Sequence, residues 1–288
     1  MRANGENQRA PAGVRPKEAS VFVDRELEVR RVNDAIRDQK NLVICGPAGI
    51  GKTALVSEAI HRLSGENKLR CLYLPAMKDL QDMLRQLIHL LYDIEDPNLR
   101  RELHAEGISV LSFDAWLKRL SSSAMKGLLY RAVEQGDYRV FLDHIPPLTL
   151  PVAKIIKELF WMRNTPVYLL VRDEMEQHLY RFYSFFYWGE RERLMLQPLP
   201  PQSAAELLEG CISRFGLSEL DLSDFREEAL ELSKRIPGAI VKMCALAADP
   251  HYQYGSRIKM KSVYIDYLMS GQGLLGQTVP RTTERAGR

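Results

Sequence analysis

From about residue 20 onward, short apolar runs alternate with segments whose apolar residues return every three or four positions. The runs at 41–45 (NLVIC), 70–76 (RCLYLPA), 139–143 (RVFLD), 165–172 (TPVYLLVR) and 193–198 (RLMLQP) are short and mostly apolar, and they predict five strands. Between them the spacing turns helical. Leu27, Val32 and Ile36 predict an inward stripe on a first helix, and residues 53–63 a second. Leu80, Met83, Leu84, Leu87, Ile88 and Leu91 mark a third, with Asp79 placed to cap it. Residues 94–112 read as irregular apart from a short helix near 97–105. Residues 112–136 read as helical with a break at 121–123, and 150–163 as helical. From Ser203 on only helices are expected, at 203–215, 222–235 and 238–248.

Strands alternating with helices, followed by helices alone, predict a parallel α/β domain and then a helical one. The proline-rich stretch 198–201 (PLPP) marks the boundary. The expected division is a disordered tail at 1–19, an α/β core at 20–200, a helical domain at 201–250 and an extension with a basic tail at 251–288. The first 19 residues mix Gly, Pro, Asn and charge without apolar periodicity.

Composition narrows the class only modestly. Of 288 residues, 45% are hydrophobic and 27% charged, which is ordinary for a globular chain, and the net charge of +3 neither demands nor excludes an anionic partner. No apolar run reaches the roughly 18 residues of a membrane-spanning helix. The polar N-terminus lacks the apolar stretch of a secretory signal. Cys45, Cys71, Cys211 and Cys244 are scattered without a C-x-x-C pair and read as core residues. A cytoplasmic location is expected.

The chemistry is concentrated in Gly46, Pro47, Ala48, Gly49, Ile50, Gly51, Lys52 and Thr53, which fit G-x-x-x-x-G-K-[ST], the P-loop that cradles nucleotide phosphates. A strand precedes it, and a helix beginning at Thr53 and Ala54 follows. Glycines let backbone N–H groups turn inward, and the helix N-terminus adds partial positive charge. Lys52 would reach the β- and γ-phosphates, and the Thr53 hydroxyl would ligate Mg²⁺. Such a loop needs a carboxylate at a neighbouring strand end to organise the metal. Asp143, delivered by Val140, Phe141 and Leu142, fits that need. Arg172, ending the fourth strand, is placed to sense a γ-phosphate, with a solvated strand-end arginine as the alternative.

In this order the motifs resemble an AAA+ or STAND-type ATPase, in the group with an origin-recognition-like ATPase module. Residues 22–26 (FVDRE) resemble that group's opening motif F-V-G-R-E, with Asp24 where Gly is usual. Gly46–Thr53 is similar to Walker A, Val140–Asp143 to Walker B, and Arg172 to sensor 1. Residues 194–208 resemble the last core strand and first lid helix, and 236–240 (IPGAI) the lid's G-x-P segment, with Arg235 where Gly is common. The resemblance implies a three-layer P-loop NTPase with sheet order 5-1-4-3-2, a small helical lid domain, and an ATP–Mg²⁺ site between core and lid. Phe22, Val23 and Pro237 would lie near the base. The family usually places Glu after the metal-organising Asp to polarise water, and STAND proteins often a second Asp. Here His144 stands there, and a neutral imidazole is a possible base.

The resulting expectation is an ATP-dependent molecular switch with slow hydrolysis. The alternatives are a non-hydrolysing, nucleotide-locked oligomeric scaffold and a DNA-associated regulator. Arg181 resembles an arginine finger in position, though Arg181, Arg191 and Arg193 also read as surface charges. Lys242 lies near a sensor-2 position. Seven aromatics within 180–188 (YRFYSFFYW) exceed what one helix face needs and suggest core packing, a protein partner or a homo-oligomer contact. The basic cluster at 257–261 (RIKMK), with Arg281, Arg285 and Arg288, leaves DNA contact conceivable, but no helix-turn-helix supports it. A GTPase is disfavoured because no Asn-Lys-x-Asp guanine motif is present.

Overall fold

The structure is a computed structural model of the chain, and it describes residues 22–64, 69–145, 148–162, 164–172 and 193–272. The chain forms two compact units. The first comprises Arg25–Gly46 and Lys52–Leu196. The second comprises residues 22–24, Pro47–Gly51 and 197–272.

In the first unit, β1 (Leu42–Cys45), β2 (Arg70–Leu74), β3 (Tyr138–Leu142), β4 (Val167–Val171) and β5 (Arg193–Met195) form one parallel sheet in the order β2-β3-β4-β1-β5. This is the expected 5-1-4-3-2 order read from the other edge. Every residue of β1, β3 and β4 is buried, as in a parallel sheet covered on both faces. That double burial is why these strands read as continuous apolar runs rather than as alternation.

The flanking helices are α1 (Glu26–Arg37), α2 (Lys52–Ser64), α3 (Leu80–Asp93), α4 (Pro97–Ala105), α5 (Phe113–Arg119), α6 (Ser122–Gln135) and α7 (Leu150–Phe160). Asp79 caps α3 by accepting the Asp82 N–H at 2.9 Å. Met83, Leu84, Leu87, Ile88 and Leu91 all point into the core, with Leu80 packed at its margin. The break expected at 121–123 is the start of α6, capped by Ser121, whose hydroxyl accepts the Ala124 N–H at 3.2 Å.

One expected core position is corrected. Leu27 is 77% exposed, whereas Val29, Val32, Asn33 and Ile36 are buried. The inward stripe runs i, i+3, i+4, i+7 from Val29, and Leu27 lies off it.

The second unit contains α8 (Pro201–Arg214), α9 (Ser223–Leu232), α10 (Pro237–Ala247) and α11 (Met260–Tyr267) around a core that includes Leu208, Ile212, Phe225, Ile240 and Val263. It is not helical throughout. β6 (Gln253–Tyr254) and β7 (Arg257–Ile258) pair as an antiparallel hairpin, turning through Gly255 at φ 59°. Two-residue strands are too short to produce an alternation legible in sequence.

Candidate functional site

β1 runs directly into the P-loop. Gly49 and Gly51 have φ of 76° and 101°, conformations that residues with a Cβ rarely adopt. A Cβ at Gly51 would meet nothing within 4 Å, so there the backbone angle alone calls for glycine. Fully buried Ile50 anchors the loop from within, and its N–H donates to the Pro47 carbonyl at 3.3 Å. Gly46 is buried, and Pro47 and Ala48 are half-buried. Lys52 is the first residue of α2. Its side chain is buried and folds back so that Nζ donates to the Gly46 carbonyl at 2.6 Å. Ala54 follows half-buried in the same helix.

Asp143 comes immediately after β3. Its N–H donates to the Leu74 carbonyl at 2.9 Å, which extends the β2–β3 ladder one residue past the strand. Asp143 is 3% exposed, and among the described residues three donors meet its side chain. Oδ2 accepts the Thr53 hydroxyl at 2.5 Å and the Tyr73 hydroxyl at 2.7 Å. Oδ1 accepts the His144 N–H at 2.7 Å. Burial of the Tyr73 phenol, reinforced by the charge and hydrogen bond of Asp143, pushes its pKa well above the ordinary tyrosine value. Tyr73 is therefore held as a protonated donor.

His144 sits in the left-handed region at φ 45°, with its ring largely exposed. Its Nδ1 lies 2.9 Å from the Pro75 carbonyl and 3.3 Å from Asp143 Oδ1. Both partners are acceptors, so the hydrogen is assigned to Nδ1 and the lone pair to Nε2 in the neutral ring. Arg172 follows β4. Since Cys45 and Val171 are register partners, Gly46 and Arg172 leave adjacent strands at the same level. Lys52, Thr53, Asp143 and His144 are thus assembled in one unit, with Arg172 at the neighbouring strand end.

In the second unit Phe22 and Val23 are half-buried, and Val23 packs on its core. Asp24, at the position where the resembled motif has Gly, adopts φ 63°, and its Oδ2 accepts the Ser203 hydroxyl at 2.8 Å. Lys234 and Arg235 are left-handed as well, at φ 51° and 59°. Pro237 opens α10, and the next residue, Gly238, meets the P-loop backbone: its N–H donates to the Gly49 carbonyl at 2.8 Å. A Cβ on Gly238 would lie 2.8 Å from Gly49 Cα and 2.9 Å from its carbonyl oxygen. Lys242 is half-buried one turn further along α10.

Tyr73 and the Gly238–Gly49 contact were not anticipated. Tyr73 could have been noticed only as a polar tip within the apolar run of β2; its partner follows from register. Arg181, Arg191, the aromatic segment 180–188 and the basic positions 281, 285 and 288 lie outside the described residues. Arg193 lies in β5, and its carbonyl accepts from the Arg31 guanidinium at 2.5 Å. In the 257–261 cluster, Arg257 pairs with Asp221 at 3.3 Å and Lys259 donates to the His251 carbonyl at 3.1 Å.

The geometry suits a nucleotide with a divalent cation. In the first unit Lys52 opens a helix, and the Thr53 hydroxyl meets the buried carboxylate of Asp143. Among the described residues no group of three or more His, Cys, Asp or Glu could hold a metal. Mg²⁺ does not require such a group, because it is commonly held by one or two protein ligands with phosphates and water. Among the described residues no helix is long and apolar enough to cross a membrane.

A model of the nephrocystin 3 N-terminal family matches residues 24–144, less than half of the chain. No curated protein matches the chain in sequence. Among solved structures, a Walker-type ATPase of Pyrococcus abyssi is similar over 88% of this chain and 73% of its own, with a TM-score of 0.53 and 15% identity. Cdc6p of Pyrobaculum aerophilum is similar over 80% of this chain, with a TM-score of 0.55 and 11% identity; the chain spans 64% of that protein. At these identities the likeness is one of fold. The chain has the P-loop NTPase fold.

Proposed function

We propose that this protein binds ATP with Mg²⁺ at Gly46–Thr53 and works as a nucleotide-dependent switch that hydrolyses ATP slowly. The observation that carries the reading is the 2.5 Å hydrogen bond from Thr53 to a buried Asp143, which joins the two motifs a phosphate-bound cation needs. Lys52 exchanges the Gly46 carbonyl for phosphate oxygens, and the loop N–H groups bind the rest of the phosphate chain. Thr53 and Asp143 hold Mg²⁺, directly or through water. When bound, the cation neutralises the developing charge on the phosphates. Arg172 senses the γ-phosphate, and Phe22, Val23 and Pro237 lie toward the base. The division into an α/β core at 20–200, a helical lid at 201–250 and a C-terminal extension belongs to the same reading.

Slow turnover follows from His144. Its Nδ1 is tied to the Pro75 carbonyl, so only Nε2 can accept a proton from water, and no carboxylate stands at that position. The switch follows from Gly238. Because its N–H holds the Gly49 carbonyl, any rearrangement of the loop around phosphate is felt at the first turn of α10. The shift is limited by the difference in nucleotide affinity between the two arrangements. A protein partner or second copy of the chain would read the output.

ATP binding and single-turnover hydrolysis measured side by side test this. Tight binding with slow, measurable cleavage is expected. Binding with no cleavage would favour a nucleotide-locked scaffold, and no binding would refute the assignment.

A further inference from the structure

Asp143 has one degree of freedom that a cation site must remove, the broad rotation of its carboxylate about the last side-chain bond. Three donors act on it, but they are unequal. The Thr53 hydroxyl is the group that Mg²⁺ would engage under the reading above. The His144 N–H belongs to the same turn as the carboxylate and moves with it. Among the described residues only Tyr73 reaches it from a different strand, β2, which pairs with β3 over its whole length, and Tyr73 is 4% exposed.

The phenol is itself braced. Tyr73 and Phe141 are register partners on β2 and β3, with ring centroids 6.2 Å apart. Phe141 and Tyr168 are register partners on β3 and β4, stacked at 4.5 Å with an interplanar angle of 17°. An aromatic row thus crosses three strands and ends in the hydroxyl that donates to Asp143 Oδ2. A phenylalanine would fill the same space, so packing alone does not account for the hydroxyl.

We infer that Tyr73 is a positioning residue for the cation, holding Asp143 from the strand behind it so that the carboxylate meets Mg²⁺ without reorganising. The inference rests on the nucleotide reading above. Partners that orient a metal-binding carboxylate typically change metal affinity by about 10- to 100-fold when removed. Tyr73 touches neither phosphate nor base under that reading, so nucleotide affinity without metal is not affected.

The test uses the full chain and a fluorescent ATP analogue, with affinity measured in EDTA and across a Mg²⁺ titration, for wild type and Tyr73→Phe. The half-saturating Mg²⁺ concentration is expected to rise about 10- to 100-fold in the variant, with affinity in EDTA unchanged. In an Asp143→Asn background the same substitution should have no further effect on the Mg²⁺ requirement, since it acts through that carboxylate. Phe141→Leu, which keeps the phenol but loosens its support, is the second variant and should raise the requirement less. An unchanged Mg²⁺ requirement in both variants overturns the inference. So does an equal loss of affinity in EDTA and in Mg²⁺, which would mark a structural role, or full additivity with Asp143→Asn. If the wild type itself binds no nucleotide under either condition, the underlying reading fails as well, and the wild-type control identifies that case.

Discussion

The Thr53 hydroxyl donates to Asp143 Oδ2 at 2.5 Å across a sequence separation of 90 residues. Replacing Thr53 by Val keeps the β-branched shape and removes that donor. A hydrogen bond to a buried charge contributes about 1.5–3 kcal/mol. Because Tyr73 still serves the same oxygen, the expected loss of stability is at the lower end, about 1.5 kcal/mol. The Mg²⁺-dependent gain in nucleotide affinity should disappear. Urea unfolding and a Mg²⁺ titration of binding check the two effects separately.

His144 offers one usable nitrogen. His144→Ala should leave ATP binding intact and slow single-turnover hydrolysis by about 10²-fold, the low end of what a positioned general base contributes. Equal cleavage rates in both proteins would remove His144 from the chemistry. A glutamine amide offers no basic nitrogen, so His144→Gln is not expected to restore the rate.

At Gly238 two effects compete. An alanine inside a helix is favoured over glycine by about 0.8–1.0 kcal/mol. Here its Cβ would sit 2.8 Å from Gly49 Cα, and such overpacking costs typically about 1–3 kcal/mol. The clash is against backbone and cannot be relieved by a side-chain rotation. Gly238→Ala is therefore expected to lower stability by about 1 kcal/mol and to weaken nucleotide binding. Increased stability with unchanged binding would show that the helix does not need the loop contact.

Arg235 offers the opposite case. It holds φ 59° next to Lys234 at φ 51°. A left-handed residue with a Cβ is strained by roughly 1–2 kcal/mol, while glycine costs about 0.5–1 kcal/mol more in chain entropy than alanine. Arg235→Gly is expected to stabilise the protein by about 0.5–1 kcal/mol, since the Leu199 N–H to Arg235 carbonyl bond at 3.1 Å involves only backbone. Thermal unfolding reads the sign directly.

These cases show what the chain declares locally and what it does not. Gly46–Thr53 and Asp143 are legible because a strand, a glycine-rich turn and a helix start follow each other within a few residues. The sheet order was legible through resemblance. The Tyr73–Asp143 contact was hidden because it depends on pairing between β2 and β3, which no local pattern encodes. The departures at Asp24 and Arg235 were visible as residue types, but their left-handed backbones were not. Leu27 was misplaced because a three-residue stripe of Leu27, Val32 and Ile36 fits a helix loosely, whereas Val29, Val32, Asn33 and Ile36 fit the buried face. The hairpin of β6 and β7 fell below the length at which alternation can be read.

The most direct test of the account is equilibrium ATP binding in Mg²⁺ by wild type and Lys52→Ala. Lys52 is buried, and its Nζ donates to the Gly46 carbonyl. Wild type is expected to bind, and the variant to bind about 10- to 100-fold more weakly, as loss of a charge-assisted hydrogen bond implies. Equal affinity in the two proteins, or no binding by wild type, would contradict the assignment of Gly46–Thr53 as a nucleotide site.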